Sequence, residues 1–120
     1  MVDYPCTGTG TLRKHPELKW RWSGSELERL AAQAVRMLAG AAVAVSPSGL
    51  LVAISCSLEP EENEAVGERF LALVAGFRRT SAAGRIPAVA AAALSGEGLW
   101  RWLPAGDHDG FTVQLFERLS

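Results

Sequence analysis

Apolar residues in this chain come in runs, and two of the runs face each other across Ser46-Pro47-Ser48-Gly49. From Ala41 to Ser55 the flanks of that tetrapeptide are almost unbroken in small and β-branched apolar residues. Pro47 presets φ at the first turn position and Gly49 supplies a positive φ, so the stretch predicts a β-hairpin. Continuous apolar strands of this kind suit a sheet covered by other elements. Upstream, Leu27, Leu30, Ala31, Ala34 and Leu38 recur at three- and four-residue steps, which predicts a helix over residues 26–39, with Ser25 and Glu28 as capping box and Gly40 as C-terminal cap. Downstream, Val66, Phe70, Leu73, Val74 and Phe77 form the stripe of a second helix that begins near Pro60 and ends with Arg78 and Arg79 in its last turn.

Three further strands are expected. Ala88 to Leu94 follows Pro87 and precedes the turn Ser95-Gly96-Glu97-Gly98, Leu99 to Leu103 comes next, and Phe111 to Phe116 ends the pattern. In the last of these, Phe111, Val113 and Leu115 share one face, and Thr112, Gln114 and Phe116 the other. Met1 to Leu12 shows no hydrophobic period, so residues 1–24 read as an irregular arm whose Trp20 and Trp22 lie on the core or on a neighbour. The order helix, two strands, helix, three strands predicts an α+β domain over residues 25–120, a single antiparallel five-stranded sheet with helices packed on it.

At 120 residues, 48% apolar and 21% charged, the chain fits one domain with one core. Its formal net charge of -1 gives no basic footprint, so no nucleic-acid partner is expected. No apolar run reaches the roughly 18 residues of a membrane span and the N-terminus is not a secretory signal, which makes a cytoplasmic protein the expectation.

Candidate chemistry changes the picture little. Cys6 and Cys56 lack CxxC or His spacing and read as free thiols. Cys56 stands near a helix start that could lower its pKa, but a small buried hydrophobe is the commoner role. His108, in Asp107-His108-Asp109, could bind a divalent cation or serve a small enzyme, though such a polar triplet is what a solvated turn demands. Glu59, Glu61, Glu62 and Glu64 are explained by the positive end of a helix. There is no phosphate loop and no Gly-x-Ser-x-Gly elbow, so catalytic, cofactor-binding and metal-binding residues are all expected to be absent.

From Ser25 to Phe116 the order and spacing resemble a Roadblock/LC7 domain, the αββαβββ module of dynein light chains and of bacterial regulators of Ras-like GTPases. The similar parts are the helix over 26–39, the segment Ala42 to Ala53 with its Ser46-Pro47-Ser48-Gly49 turn, the Glu-rich second helix and the Gly96-Glu97-Gly98-Leu99 turn. The Trp-bearing arm, the alanine-rich third strand and the lack of a helix after Phe116 depart from that family. The resemblance implies a non-catalytic homodimer or heterodimer that holds a small GTPase or related partner, with Val66, Phe70, Leu73, Phe77, Ala88, Val89, Ala90, Ala91 and Ala92 as interface candidates. The alternative is a profilin-like or PAS-like ligand sensor with a pocket walled by Trp20, Trp22, Trp100 and Trp102.

Overall fold

In a computed structural model, residues 1–12, 14, 23–81, 94–96, 98–105 and 108–120 are described, those at 94–96 by backbone alone. Helix α1, Gly24–Ala42, starts at Ser23, whose hydroxyl accepts from the Glu26 amide at 3.3 Å. The cap lies two residues before the expected Ser25, and Glu28 instead receives a hydrogen bond from Arg69 of the second helix at 3.0 Å. The buried stripe of α1 is Leu30, Ala31, Ala34, Val35, Leu38 and Ala42.

The central hairpin expected over residues 41–55 is not formed. Ala41 and Ala42 extend α1, and two tight turns follow, with Ala44 N–H donating to Ala41 O at 3.1 Å and Val45 N–H to Ala42 O at 3.2 Å. Alanine is the best helix former, and Ala42 gains a buried position by staying helical. The Ser46–Gly49 turn does close, Gly49 N–H on Ser46 O at 2.8 Å, but the positive φ of 62° falls on Ser48. Only the return segment is a strand, β2, Leu50–Ser55.

The N-terminal stretch is no loose arm in its described part. Val2–Asp3 forms β1, paired parallel to β2 with Val2 opposite Ala53, and Val2 and Tyr4 are core residues. After β2, a 3-10 turn, Pro60–Glu62, leads into α2, Glu64–Leu73. That helix stops six residues before the expected end. Gly76 takes φ of 84°, which only glycine adopts at little cost, and turns the chain back as β3, Phe77–Arg79. Phe77 still meets the stripe it was assigned to, its ring 5.4 Å from that of Phe70, but it arrives from a strand.

Strands β4, Leu94–Gly96, and β5, Leu99–Trp102, form a hairpin with Gly98 at φ of 71° in the turn, but Ser95 and Gly96, expected in the turn, belong to the strand and pair with Trp100 and Leu99. The alanine segment 88–92 lies outside the described residues. Strand β6, Phe111–Arg118, pairs antiparallel with β2 along one edge and with β5 and then β3 along the other. The sheet runs β1-β2-β6-β5-β4. It is therefore mixed and six-stranded, which corrects the single antiparallel five-stranded sheet of the Roadblock order. Two paired residues at the chain start carry no period that could have revealed the parallel strand.

Alternation places Thr112, Gln114 and Phe116 of β6 under the helices, and Val113 and Leu115 on the opposite face with Trp100, Trp102 and Val52. No helix among the described residues is long and apolar enough to cross a membrane. On the helix side, Phe70 is fully buried with its ring edge-on to Phe116 at 5.0 Å. Phe70→Ala is expected to cost about 3–5 kcal/mol, read as a lower urea midpoint with an unchanged slope.

Candidate functional site

Two neighbouring parallel strands, β1 and β2, deliver their carboxyl ends to the same place, and each ends in a cysteine-bearing loop. Open α/β sheets bind ligands outside the carboxyl ends of parallel strands. Cys6 and Cys56, fifty residues apart, meet there with their sulfurs 3.1 Å apart, both thiols free. Cys56 is exposed and Cys6 half-buried.

Backbone stitching fixes both loops. Gly8 adopts φ of 75° and opens a short 3-10 turn at Thr9–Thr11. Gly10 N–H donates to the carbonyl of Cys56 at 2.8 Å, and Gly110 N–H donates to Gly10 O at 2.8 Å. A Cβ on Gly10 would lie 2.6 Å from the Cys56 carbonyl oxygen and would overlap Gly110 as well. Thr9 Oγ1 accepts from the Leu58 amide at 2.9 Å, and Thr112 Oγ1 donates to Ser57 O at 2.9 Å.

Beneath the thiols lies a buried polar cluster centred on Glu62 and Asn63. The Asn63 amide nitrogen donates to Ser57 O at 3.0 Å and to Glu59 O at 2.9 Å. Its side-chain oxygen accepts from the Ser55 hydroxyl at 2.7 Å and from Tyr4 at 3.2 Å. Gln114 Nε2 donates to the Asn63 carbonyl at 2.8 Å. The Glu62 carboxylate takes the Thr7 amide on one oxygen and the Thr7 hydroxyl on the other, each at 2.7 Å.

The thiols are inequivalent. A hydrogen bond from Cys6 holds the Cys56 pKa at about 7, below the ordinary value, against an opposing push from burial. The Cys6 pKa is raised, first by that same bond to Cys56 and then by burial. Of the two, Cys56 is the thiol that ionises first, being the more exposed and accepting from Cys6 once charged. Burial also raises the Tyr4 pKa, so its hydroxyl stays a donor. The thiolate is the nucleophilic form of cysteine, and here it is the more exposed of the pair.

The residues singled out from sequence fare differently. Val66 and Phe70 are buried in the core, Leu73 is exposed on α2, Phe77 is half-buried, and residues 88–92 are outside the described set. His108 is exposed with Nδ1 3.0 Å from Asp109 O, and the Asp109 carboxylate pairs with Lys14 at 3.3 Å. Among the described residues no three His, Cys, Asp or Glu side chains stand together as metal ligands. Trp100 packs with Leu115, and Trp102 stacks on Phe111 at 4.6 Å. Trp20 and Trp22 lie outside the described residues. Sequence reasoning missed the thiol pair. The available signal was that the chain's only two cysteines each follow a short segment fit for a strand and precede a Ser, Thr or Gly turn.

Fold and site together define an α/β protein with a thiolate at the carboxyl ends of its strands. A model of the family described as 16S rRNA methyltransferase RsmB/F matches residues 1–117, and the chain belongs to that family. It is 38% identical over its full length to the ribosomal RNA small subunit methyltransferase B of Thermus thermophilus, and covers 29% of that protein. It is 31% identical to the small subunit methyltransferase F of Shewanella loihica, again over its full length, covering 25% of that protein. The crystal structure of PH0851 superposes on 97% of the chain with a TM-score of 0.80 at 31% identity, the match covering 25% of that chain. NSun6 from Pyrococcus horikoshii shares the fold, with a TM-score of 0.74 at 22% identity.

These matches overturn the Roadblock/LC7 resemblance and, with it, the non-catalytic scaffold, the sensor alternative and the GTPase partner. The family consists of enzymes whose description names ribosomal RNA, so the expectations of no enzyme and no nucleic acid are corrected too. A near-neutral net charge misled because it averages over the chain and says nothing of one site.

Iodoacetamide alkylation of Cys56, followed by mass spectrometry, is expected to have its midpoint near pH 7. The thiolate persists down to that pH, whereas an unperturbed thiol is already protonated below about 8.5. Cys6→Ala removes the donor and is expected to move the midpoint up toward about 8.5. Gly10→Ala forces the two loops apart and is expected to cost about 1–3 kcal/mol in thermal or urea unfolding.

Proposed function

We propose that this chain carries the nucleophile of an enzyme that methylates a pyrimidine ring carbon in small-subunit ribosomal RNA, acting in the cytoplasm where that RNA is found. The observation that supports the reading is the Cys6–Cys56 contact at 3.1 Å, with Cys56 the more exposed member. Because the chain spans a quarter to 29% of the relatives named, the activity belongs to the whole protein.

Methylating an amine or hydroxyl needs no covalent help, since those atoms offer a lone pair. Ring carbon C5 of a pyrimidine has none. A thiolate that adds to C6 pushes an electron pair onto C5 and makes it a nucleophile. Cys56 Sγ forms the bond to C6, and C5 then takes the methyl group from a donor that is a second substrate. Loss of the C5 proton to a base returns the electron pair and breaks the Sγ–C6 bond. Cys56 departs as a thiolate, which the Cys6 S–H stabilises as it forms.

Substrate RNA with 5-fluoropyrimidine at the methylated position tests the scheme, because C5 then has no proton to lose and the adduct stalls. The whole protein is expected to form a complex with this RNA that survives denaturing electrophoresis, and Cys56→Ala to form none and to lose methyl incorporation at least 1,000-fold, on the order of losing a covalent nucleophile. Full incorporation by Cys56→Ala would overturn the reading.

A further inference from the structure

The hydrogen bond to Cys56 depends on where Cys6 is held, and the Cys6 sulfur meets Cys56 and, within its own loop, the backbone amide of Gly8. Its position comes from its neighbours. Two residues earlier, the Tyr4 hydroxyl donates to the backbone carbonyl of Glu62 at 2.7 Å. One residue later, Thr7 gives both its amide and its hydroxyl to the Glu62 carboxylate. The segment from Tyr4 to Thr7 is thus pinned at both ends to one residue, and Cys6 lies between the pins. Glu62 is 1% exposed, and no cation accompanies its carboxylate among the hydrogen bonds described.

We infer that Glu62 is a positioning residue: its carboxylate holds Thr7 so that the Cys6 thiol stays within hydrogen-bonding distance of Cys56. The consequence for catalysis rests on Cys56 being the attacking group, whereas the placement of Cys6 does not.

Charge alone would act the other way. The groups facing Cys56 are Cys6, Asp3 and Glu62, and those facing Cys6 are Cys56, Glu62 and Tyr4. The negative charge of Glu62 raises both thiols, so a purely electrostatic Glu62 would oppose the thiolate. A carboxylate fits here because its two oxygens accept from two donors of one residue at once. Sequence reasoning attributed Glu62 to the helix dipole, yet its side chain reaches back across 55 residues to Thr7.

Alkylation of Cys56 against pH separates geometry from charge and needs neither RNA nor methyl donor, so its outcome is independent of the reaction proposed above. Glu62→Gln keeps the shape and can still accept from the Thr7 amide while its own amide donates to the Thr7 hydroxyl. Its midpoint is expected to stay at or below that of the wild type. Glu62→Ala releases Thr7, and its midpoint is expected to rise by about one pH unit, a tenfold slower reaction at the lower pH. A generally weakened fold would not split two variants that both lose the charge. Equal midpoints for the two variants, or a lower one for Glu62→Ala, would overturn the inference. If Glu62→Ala does not fold, Thr7→Val decides, since it keeps the amide bond and the carboxylate charge and loses only the hydroxyl. A raised midpoint supports the inference and a wild-type midpoint refutes it.

Discussion

The fold around the site depends on the buried hydrogen bonds that converge on Glu62 and Asn63. Asn63 joins the loop after β2, the start of α2, Tyr4 after β1 and Gln114 on β6. An asparagine side chain offers two N–H donors and an acceptor oxygen, and here both donors find carbonyls while the oxygen takes the Ser55 hydroxyl and the longer arm of the Tyr4 proton that is shared with the Glu62 carbonyl. That completeness matters energetically, because a buried polar group left without a partner costs about 1–3 kcal/mol, while a satisfied one contributes only modestly. The cluster therefore adds little to stability compared with the aromatic core of Phe70, Phe77 and Phe116, but it permits few alternative arrangements. Apolar packing would tolerate a shift of a few tenths of an ångström between the loops. Directional hydrogen bonds tolerate less.

The two sulfurs show why such placement is needed. Two thiols in contact resist losing both protons, since two adjacent thiolates would repel, so the pair retains one proton over a wide pH range. Which sulfur keeps it is decided by surroundings. Cys6 is the more enclosed, and the charge settles on Cys56, which faces solvent. The first cause that favours ionised Cys56 is the neighbouring Cys6 thiol, in the place a histidine or a helix N-terminus takes at other reactive cysteines. A second cysteine is a weaker acid-base partner than histidine, but it suits a role that amounts to stabilising sulfur charge.

Elements set by local rules could be read from the chain. The stripe of α1, the Gly98 turn and the two faces of β6 follow from periodicity and turn chemistry, and the structure keeps them. Where two local rules competed, the reading failed. Ala41 to Val45 is apolar enough for a strand, but its alanines also suit the end of a helix, and the buried position of Ala42 resolved the tie. Phe77 fell on a helical period, but Gly76 and the open edge of β6 drew it into a strand. The site was less legible still. Cys6 and Cys56, Thr7 and Glu62, Tyr4 and Asn63 stand 50, 55 and 59 residues apart, and the strand-like segment before each cysteine is a signal for the two loops but not for the contact between them.

The Roadblock resemblance failed for a related reason that bears on function. After residue 24 the described α-helices and strands run α1, β2, α2, β3, β4, β5, β6, not the helix, two strands, helix, three strands read from the sequence, and order alone would not say whether neighbouring strands run together or opposed. One short strand decides it here. Pairing Val2–Asp3 parallel to β2 means that the loops leaving both strands emerge on the same side, and antiparallel pairing would have sent them to opposite ends of the sheet. The meeting of Cys6 with Cys56 thus follows from the direction of two residues at the chain start, and the Glu62 and Asn63 bonds convert that rough proximity into a defined contact. A stretch that looked too short and too irregular to carry structure is what turns a sheet with helices into a place where a thiolate can meet a substrate.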